Sequence, residues 1–406
     1  MFKSARPGPP DPMFTLKKLA DGDTTPNKVD LGVGVYRNEQ AGYHELEAIK
    51  QAKKILDEKN PGHDYEVTIG NPTFLKHATE LIFCPSSRVL QDKKVASVQT
   101  VSGTGANHIG ALFLSRSAEF SGKTVYVGMP AWGNYDPIFR LVGLEVVKYK
   151  YYDIQHGVYF PEMLHLVKTA QAKSIFVLQS CCHNPTGADL TKKQWDELAD
   201  AFKEHGVLPF FDIAYQGLGA GLDEDAYGIR RFAELGLEFV VAQSFAKNFG
   251  LYGERAGVLH IVGRDEENAR NIGDQLRCLV RWEFSSSPAY GSRLVTIVLE
   301  DAGLTKIWRD ELDTMKERLL YNRRTLYNVV ANELKVPGNW EVITSTQGLF
   351  CILPLTVQQC ILLREKHHIH LPESGRINVA GLNKSNIDYV ARAIQDVVVK
   401  TEGIQR

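Results

Sequence analysis

The chain has 406 residues, of which 44% are hydrophobic and 23% are charged. This is the composition of a globular protein with room for two domains. Lys and Arg total 47 against 48 Asp and Glu, so the net charge favours neither nucleic acid nor an anionic membrane surface. The first ten residues are too rich in proline for a signal peptide, and no apolar stretch is long enough to span a membrane. Small molecules are therefore the expected partners.

The six cysteines are too sparse for a disulfide framework and lack the CxxC pairing of a zinc site. We therefore expect no metal and a reducing compartment, the cytoplasm. A mitochondrial location would fit if a transit peptide had been removed before this numbering begins.

Residues 1–30 contain several prolines and little periodicity. They are expected to form an extended arm that lies on a surface, such as that of another subunit, with part of the N-terminal segment returning to a small domain. From residue 95 to 262, short apolar runs alternate with amphipathic stretches, which predicts an α/β domain with a mostly parallel sheet between helices. The runs are VASVQTV (95–101), TVYVGMP (124–130), SIFVLQS (174–180), VLPFFDIAY (207–215), FVVAQSF (239–245) and AGVLHIV (256–262).

Residues 291–334 are apolar at helical spacing and predict one long helix or two, which bridge the domains. A smaller α+β domain is expected after Pro337. Its predicted elements are a strand near 340–345, a strand at 349–353, a helix near 356–367, a strand at 376–380 and a helix from about 384 to 400. The predicted domains are 1–30 as the arm and part of the small domain, 31–300 as the large ligand-binding domain, and 301–406 as the bridging helix and small domain.

Ligands of open α/β sheets bind beyond the carboxyl ends of the strands, so the polar residues after each run are candidate site residues. Ser102, Gly103 and Thr104 follow the first run and open a helical pattern, where small residues and helix amides suit a phosphate. Such a turn is often purely structural. Asn184 follows the third run and would place an amide at the rim of the site, although Asn-Pro is commonly just a turn.

The fourth run ends in Asp212 and Tyr215, and a carboxylate in so apolar a strand needs a partner. A protonated heterocyclic nitrogen would serve, as would an arginine or a helix terminus. Ser244, Lys247 and Arg255 follow the fifth run. Burial lowers the pKa of a lysine and makes its amine a nucleophile toward aldehydes, whereas most lysines are surface residues. Arg255 could reach the same anion as Ser244.

Together these strings resemble the aspartate aminotransferase family, in the fold-type I group of pyridoxal 5′-phosphate (PLP) enzymes, and the resemblance covers nearly the whole chain. The motifs that carry it are PPDPMFTL, VDLGVGVYR, VSGTGA, PAWGN, HNPTG, DIAYQG, SFAKNFGLYGER, QGLF and GRINVAG. The resemblance implies a homodimer with shared active sites. It also implies transamination of L-aspartate and 2-oxoglutarate to oxaloacetate and L-glutamate, through a Schiff base on Lys247 and a 1,3-proton shift.

By the same resemblance, Lys247 also carries the proton, Asp212 pairs with the ring nitrogen, and Tyr215 and Asn184 contact the ring oxygen. Trp132 corresponds to the aromatic residue that stacks on the ring. The implied phosphate ligands are Ser102, Gly103, Thr104, Ser244, Arg255, and Tyr65 from the other subunit. The implied substrate ligands are Arg376, Asn184, Trp132 and the backbone of Gly34 near the α-carboxylate, and Arg281 from across the interface for the distal carboxylate.

The chain departs from the family in several places. Tyr135 follows PAWGN where the family has a histidine that supports the aspartate at the ring nitrogen. The string around Tyr65 lacks the usual proline, and the segments after Tyr36 and around Arg281 are also unusual. The alternatives are an aromatic amino-acid aminotransferase of the same subgroup, another PLP reaction such as decarboxylation or β-elimination, and a non-catalytic protein that kept the fold.

Overall fold

The computed structural model describes residues 2–402, which form two compact units. The larger unit contains His44–Arg318, and the smaller contains residues 2–43 and 319–402. The helices and strands, in chain order, are as follows.

The α-helices are α1 (Pro12–Gly22), α2 (Glu47–Lys59), α3 (Pro72–Phe83), α4 (Arg88–Gln91), α5 (Ser102–Arg116), α6 (Tyr135–Leu141), α7 (Phe160–Thr169), α8 (Lys192–His205), α9 (Tyr227–Glu234), α10 (Glu266–Glu283), α11 (Ala289–Glu300), α12 (Ala302–Tyr327), α13 (Val342–Ser345), α14 (Val357–His367) and α15 (Ile387–Glu402). A π-helical turn (Asn328–Glu333) follows α12, and a 3₁₀ turn (Val379–Gly381) precedes α15. Within residues 2–402, no helix is long and apolar enough to cross a membrane.

The strands are β1 (Val29–Asp30), β2 (Val95–Val101), β3 (Thr124–Met129), β4 (Glu145–Lys150), β5 (Tyr152–Asp153), β6 (Gly157–Val158), β7 (Ile175–Gln179), β8 (Leu208–Ile213), β9 (Phe239–Ser244), β10 (Ala256–Val262), β11 (Phe350–Ile352), β12 (Ile369–His370) and β13 (Arg376–Asn378). Each of the six apolar runs therefore contains a strand.

The sheet of the larger unit has the order β2, β10, β9, β8, β7, β3, β4. Its neighbouring strands pair in parallel except for β10, which is antiparallel to both β2 and β9. The predicted α/β class with a mostly parallel sheet is confirmed. Because β10 runs the opposite way, its first residue, Ala256, lies beside Val101 at the end of β2. The edge of the sheet that carries the strand ends therefore also receives Arg255.

Helix α5 packs directly on the sheet. A Cβ atom added to Gly110 would lie 2.9 Å from the ring of Phe210 on β8, so only glycine permits this approach. Phe210 in turn contacts Phe139 of α6, with ring centroids 5.3 Å apart, and both side chains are fully buried. This apolar core fixes the first turns of α5 and α6 above the strand ends.

The units divide at 43 and 318, whereas the sequence suggested 30 and 300. Residues 29–30 pair with β12 of the smaller unit, which brings the following residues with them. The first half of α12 packs within the larger unit, where Trp308 donates to the carbonyl of Asn248 at 2.8 Å and stacks on Phe249. Arg323, in its second half, is buried in the smaller unit and donates to the carbonyls of Ile343, Gly348 and Phe350 and to the hydroxyl of Thr346.

Two local predictions were wrong. The strand expected near 340–345 is the short helix α13, because the buried Trp340 donates to the Val336 carbonyl and the backbone turns over it, with the Ile343 amide bonded to the Trp340 carbonyl. The expected extended arm contains α1, which begins where Asp11 accepts hydrogen bonds from two backbone amides of its first turn.

Candidate active site

A cavity of about 540 Å³, which opens to solvent, lies in the larger unit at the carboxyl edge of the sheet. Its position is the one expected for a ligand site in an open α/β sheet. It is lined by Ser102, Gly103, Thr104, Asn107, Trp132, Tyr135, Gln179, Cys181, Asn184, Asp212, Ala214, Tyr215, Ser244, Lys247 and Arg255. Every cofactor-binding residue expected from the sequence, except Tyr65, is in this set.

One end of the cavity is a seat for an anion, built where β2 leads into α5. Ser102 has a φ of +62°, and this left-handed conformation turns the chain where β2 leads into α5, whose first residues, Ser102, Gly103 and Thr104, line the cavity. A Cβ atom added to Gly103 would lie 2.9 Å from Cβ of Ser244, so glycine lets the helix terminus approach β9. The Ser102 and Ser244 hydroxyls are 3.3 Å apart. Helix amides and two hydroxyls suit a phosphate.

Arg255 contributes a positive charge to this seat. Its carbonyl accepts from the Ser102 amide at 2.9 Å, and its guanidinium donates to the Tyr252 carbonyl at 2.8 Å. Partial burial lowers the pKa of Arg255, yet a guanidinium remains protonated in proteins. Within residues 2–402 it makes no ion pair with a carboxylate, which leaves its charge available to a bound anion.

Lys247 lies just past the end of β9 and is partly buried. Burial lowers the pKa of Lys247 to about 8, the charge of Asp212 opposes this shift, and Arg255 adds to it. With that pKa, roughly a tenth of the amine is unprotonated at pH 7. Its Nζ lies 5.0 Å from the ring centroid of Tyr215. Lys247 is therefore a nucleophilic amine that faces the cavity.

Asp212 lies near the end of β8, and its Oδ2 accepts from the Tyr135 hydroxyl at 2.7 Å and from Asn107 Nδ2 at 3.3 Å. Burial raises the pKa of Asp212, while the Tyr135 hydrogen bond, the charge of Lys247 and the Asn107 hydrogen bond oppose the increase. Its Oδ1 accepts no hydrogen bond from residues 2–402. The carboxylate can therefore accept a proton donor from a ligand, such as a protonated ring nitrogen.

Neighbouring residues hold two further parts of the cavity wall in place, the main chain of Asn184 and the ring of Trp132. The main chain of Asn184 is clamped by Gln179, whose Oε1 accepts from the Asn184 amide at 2.8 Å and whose Nε2 donates to the Asn184 carbonyl at 3.0 Å. Trp132 meets the ring of Tyr135 edge-on, with centroids 5.2 Å apart and an interplanar angle of 88°. A ligand ring in the cavity would thus meet preorganised walls.

Comparison with known proteins identifies the family. Residues 26–394 match the model of aminotransferase class I and II. The chain belongs to the class I and II aminotransferases. It is 44% identical to aminotransferase tasG of Hapsidospora irregularis, over 98% of this chain and 96% of that protein. It is 39% identical to the mitochondrial aspartate aminotransferase of Dictyostelium discoideum, over 98% and 93%.

Among solved structures, this aminotransferase resembles the aromatic-amino-acid aminotransferase of Burkholderia pseudomallei, crystallised with covalently bound pyridoxal phosphate. The TM-score is 0.95 at 35% identity, and the match covers 98% of this chain and 99% of the other. The family resemblance inferred from the motifs and the identification as an enzyme of this family are confirmed.

Four residues expected at the site lie elsewhere in the aminotransferase chain. Tyr65 is 88% exposed and lines a separate surface groove with Arg293. Arg281 is exposed in the last turn of α10, and its Nη1 donates to the Ser285 hydroxyl at 2.6 Å. Neither lines the cavity of its own chain, so their roles remain predictions. The other two, Gly34 and Arg376, belong to the smaller unit.

In the smaller unit, Phe350 lies between Gly34 and Arg376. The guanidinium carbon of Arg376 is 4.4 Å from the Phe350 ring centroid, and its Nη2 donates to the Gly32 carbonyl at 2.6 Å. A Cβ atom added to Gly34 would lie 2.8 Å from the tip of the same ring. This packing fixes Arg376 relative to the Gly34 backbone, as a shared carboxylate site would need.

Sequence reasoning missed Asn107, Gln179, Cys181 and Ala214 as cavity residues. Gln179 is the last residue of β7, so the rule that polar residues at strand ends form the site applied to it. Asn107 is four residues beyond Gly103, one helical turn along the same face of α5, and its Nδ2 also donates to the Gly103 carbonyl. The helical spacing was the signal that could have identified it.

Proposed function

We propose that this aminotransferase binds PLP in the cavity and transfers the amino group of L-aspartate to 2-oxoglutarate, yielding oxaloacetate and L-glutamate. The observation that carries the proposal is that a partly buried amine, Lys247, and a partly buried carboxylate, Asp212, line the same cavity as the anion seat. PLP has the three matching groups: an aldehyde, a pyridine nitrogen and a phosphate.

The donor set fits this cofactor. Arg255 has no carboxylate partner within residues 2–402, and Gly103 leaves open the space beside Ser244 that a side chain would fill. Within residues 2–402, no group donates a hydrogen bond to Oδ1 of Asp212. A carboxylate that pairs with a protonated ring nitrogen needs such an available oxygen. Trp132 supplies a flat apolar surface beside it.

When bound, PLP supplies an aldehyde that condenses with amines and a ring that accepts the electron pair left at Cα. The protein residues do the rest in this proposal. Lys247 Nζ accepts the proton from Cα and returns it, which its pKa of about 8 suits. Asp212 keeps the proton on the ring nitrogen, and Asn184 and Tyr215 hold the ring oxygen.

The substrate carboxylates are assigned to arginines, because a guanidinium binds a carboxylate through two parallel hydrogen bonds. Arg376, with the backbone of Gly34 and the side chains of Asn184 and Trp132, is assigned to the α-carboxylate. Arg281 is assigned to the distal carboxylate, which selects dicarboxylic substrates.

The proposal includes a homodimer with shared active sites. Tyr65 and Arg281 are exposed on the larger unit and absent from the cavity of their own chain. In a twofold dimer each would enter the partner's cavity, Tyr65 at the phosphate and Arg281 at the distal carboxylate. The exposed residues 2–11, ahead of α1, would also lie on the partner.

The first test is turnover of aspartate with 2-oxoglutarate, together with the absorbance of the purified protein before and after aspartate is added. Lys247→Ala is expected to lose the absorbance band of the lysine-bound cofactor and nearly all turnover. An unchanged band would refute the assignment of Lys247. A wild-type protein with no turnover on any amino acid would favour a non-catalytic role.

Arg281→Ala is expected to lower kcat/KM for aspartate by at least about a hundredfold, since it removes a charged partner of the distal carboxylate. The loss should be much smaller for phenylalanine. Arg277→Ala is the matched control, because Arg277 lies one turn earlier on α10 and pairs with Asp274. Equal losses for both substrates would contradict the role of Arg281.

Mixed dimers test whether Arg281 acts across the interface. A dimer of one Lys247→Ala subunit and one Arg281→Ala subunit has one intact site only if each arginine serves the partner's cavity. An equal mixture, denatured and refolded together, should then regain roughly a quarter of wild-type activity. No recovery would place Arg281 in its own chain's site, and a monomer in light scattering would refute the dimer.

An aromatic amino-acid aminotransferase is the second candidate. Arg281 is exposed and held by a single hydrogen bond within the described chain, to Ser285, so it can move aside for an uncharged ring. A higher kcat/KM for phenylalanine than for aspartate would favour this candidate.

We assign the protein to the cytoplasm because all six cysteines are free thiols, including the neighbouring Cys181 and Cys182. Because a relative at 39% identity is a mitochondrial enzyme, the assignment to the cytoplasm needs a direct test. Cell fractionation with antibody detection answers it, and recovery in the mitochondrial fraction would overturn the assignment.

A further inference from the structure

Tyr135 supports two walls of the cavity at once. It is the first residue of α6 and is 1% exposed. Its hydroxyl donates to Asp212 Oδ2 at 2.7 Å, and its ring meets Trp132 edge-on. Its amide bonds to the Trp132 carbonyl at 3.3 Å, which fixes the backbone between the two aromatic residues. The hydroxyl therefore has little freedom to leave the carboxylate.

The identity of residue 135 determines whether the group that donates to Asp212 is charged. Burial raises the pKa of Tyr135 well above its usual value, and the charge and hydrogen bond of Asp212 raise it further, with Tyr215 adding to the effect. The phenol is therefore a neutral donor at every working pH. The histidine that the family places here has an ordinary pKa near 6.5 and can carry a positive charge. Besides Tyr135, the groups that act on Asp212 are Lys247 and the neutral Asn107.

We propose that Tyr135 is a positioning residue, whose neutral hydroxyl orients the Asp212 carboxylate toward the cofactor's ring nitrogen without competing for its charge. The inference rests on the proposed binding of PLP. Tyr135 and Asn107 both donate to Oδ2, which directs Oδ1 away from the protein donors. Because the Tyr135 hydroxyl is neutral, the strength of the interaction between Asp212 and the ring should not depend on the protonation of residue 135.

The test measures PLP binding to the apo-protein between pH 6 and 9, and the pH titration of the bound cofactor's absorbance. Tyr135→Phe is expected to weaken PLP binding about tenfold and to shift the absorbance titration by about one pH unit, because the buried carboxylate loses its nearest donor. Tyr149→Phe is the matched control. Tyr149 is also buried, on β4, and its hydroxyl makes no hydrogen bond within residues 2–402.

Tyr135→His keeps a donor but restores a titrating group. It should bind PLP more tightly than Tyr135→Phe, and its PLP affinity should show a second titration near pH 6.5, in addition to the Lys247 titration that it shares with the wild type. This variant also carries the test if Tyr135→Phe fails to fold.

The inference is overturned if Tyr135→Phe binds PLP and titrates like Tyr149→Phe, or if Tyr135→His shows no new pH dependence. If the wild-type apo-protein does not bind PLP at all, the proposed function fails instead. The two failures are therefore distinguishable without any measurement of turnover.

Discussion

Replacement of Lys247 by methionine should stabilise the apo-protein at neutral pH. The partly buried ammonium loses hydration, and this cost appears as a pKa of about 8 against the ordinary 10.5. Methionine has a similar length and no charge, so it removes the cost while filling the space.

The magnitude follows from the difference of about 2.5 pH units, which corresponds to about 3 kcal/mol. Between pH 8 and 10.5 the unfolded chain still holds the lysine proton that the folded chain has released. The free energy of unfolding of the wild type therefore rises with pH through this window, relative to the variant. Lys247→Met should be more stable by up to about 3 kcal/mol at pH 7, and the difference should approach zero above pH 10. The pKa of about 8 already includes the opposing attraction between Lys247 and Asp212, so this attraction is not counted again.

Urea unfolding of both apo-proteins at pH 7, 8, 9 and 10 measures this difference directly. Lys193→Met, at an exposed position in the first turn of α8, is the control and should show a small difference that does not change with pH. If the gap between wild type and Lys247→Met were the same at pH 7 and pH 10, the lysine would not be desolvated, and the account of its reactivity would be wrong.

Three further substitutions test other parts of the structure. Gly103→Ala should weaken PLP binding at least tenfold, because its Cβ would lie 2.9 Å from Ser244. Gly253→Ala is the control, because nothing lies within 4 Å of its added Cβ. If both variants bound PLP equally tightly, the anion seat would be contradicted. Arg323→Met should lower the free energy of unfolding by about 3 to 5 kcal/mol, since three buried carbonyls lose their donor. Arg324→Met, at the exposed neighbouring position, should change it little. Similar urea midpoints for the two variants would refute the role of Arg323. Trp308→Phe should cost about 2 kcal/mol through the lost hydrogen bond to Asn248 and a small cavity, and an unchanged melting temperature would argue against that bond.

The sequence predicted the sheet well where strands are buried on both faces. All six apolar runs contain strands, but β4, at the edge of the sheet, was not predicted. Its sequence EVVKYK mixes apolar and charged residues, and four of its six residues are exposed to solvent. The antiparallel direction of β10 could not be predicted from the sequence either, since an apolar run has the same composition in either direction.

The cavity could be predicted because its residues follow strand ends. Lys247, Asp212, Asn184 and Ser244 were found by that rule. Asn107 was not, because it lies inside α5 and becomes a site residue only when the helix is placed on the sheet. The resemblance indicated that Tyr135 replaces a histidine, but only the structure reveals that its hydroxyl reaches Asp212 directly.

The antiparallel direction of β10 limits where this enzyme can accept an inserted residue. Lys247 lies on the segment that joins two adjacent antiparallel strands, residues 245–255, and this segment is closed at its base by the bond from the Phe245 amide to the Ala256 carbonyl. Parallel neighbours in the sheet are connected through whole helices, where an inserted residue can be absorbed at the surface. Here the connection itself carries the lysine at one end and Arg255 at the other, so a single added residue would alter the spacing between the amine and the phosphate anchor. Insertions between 245 and 255 should therefore abolish cofactor loading while insertions after α8 are tolerated.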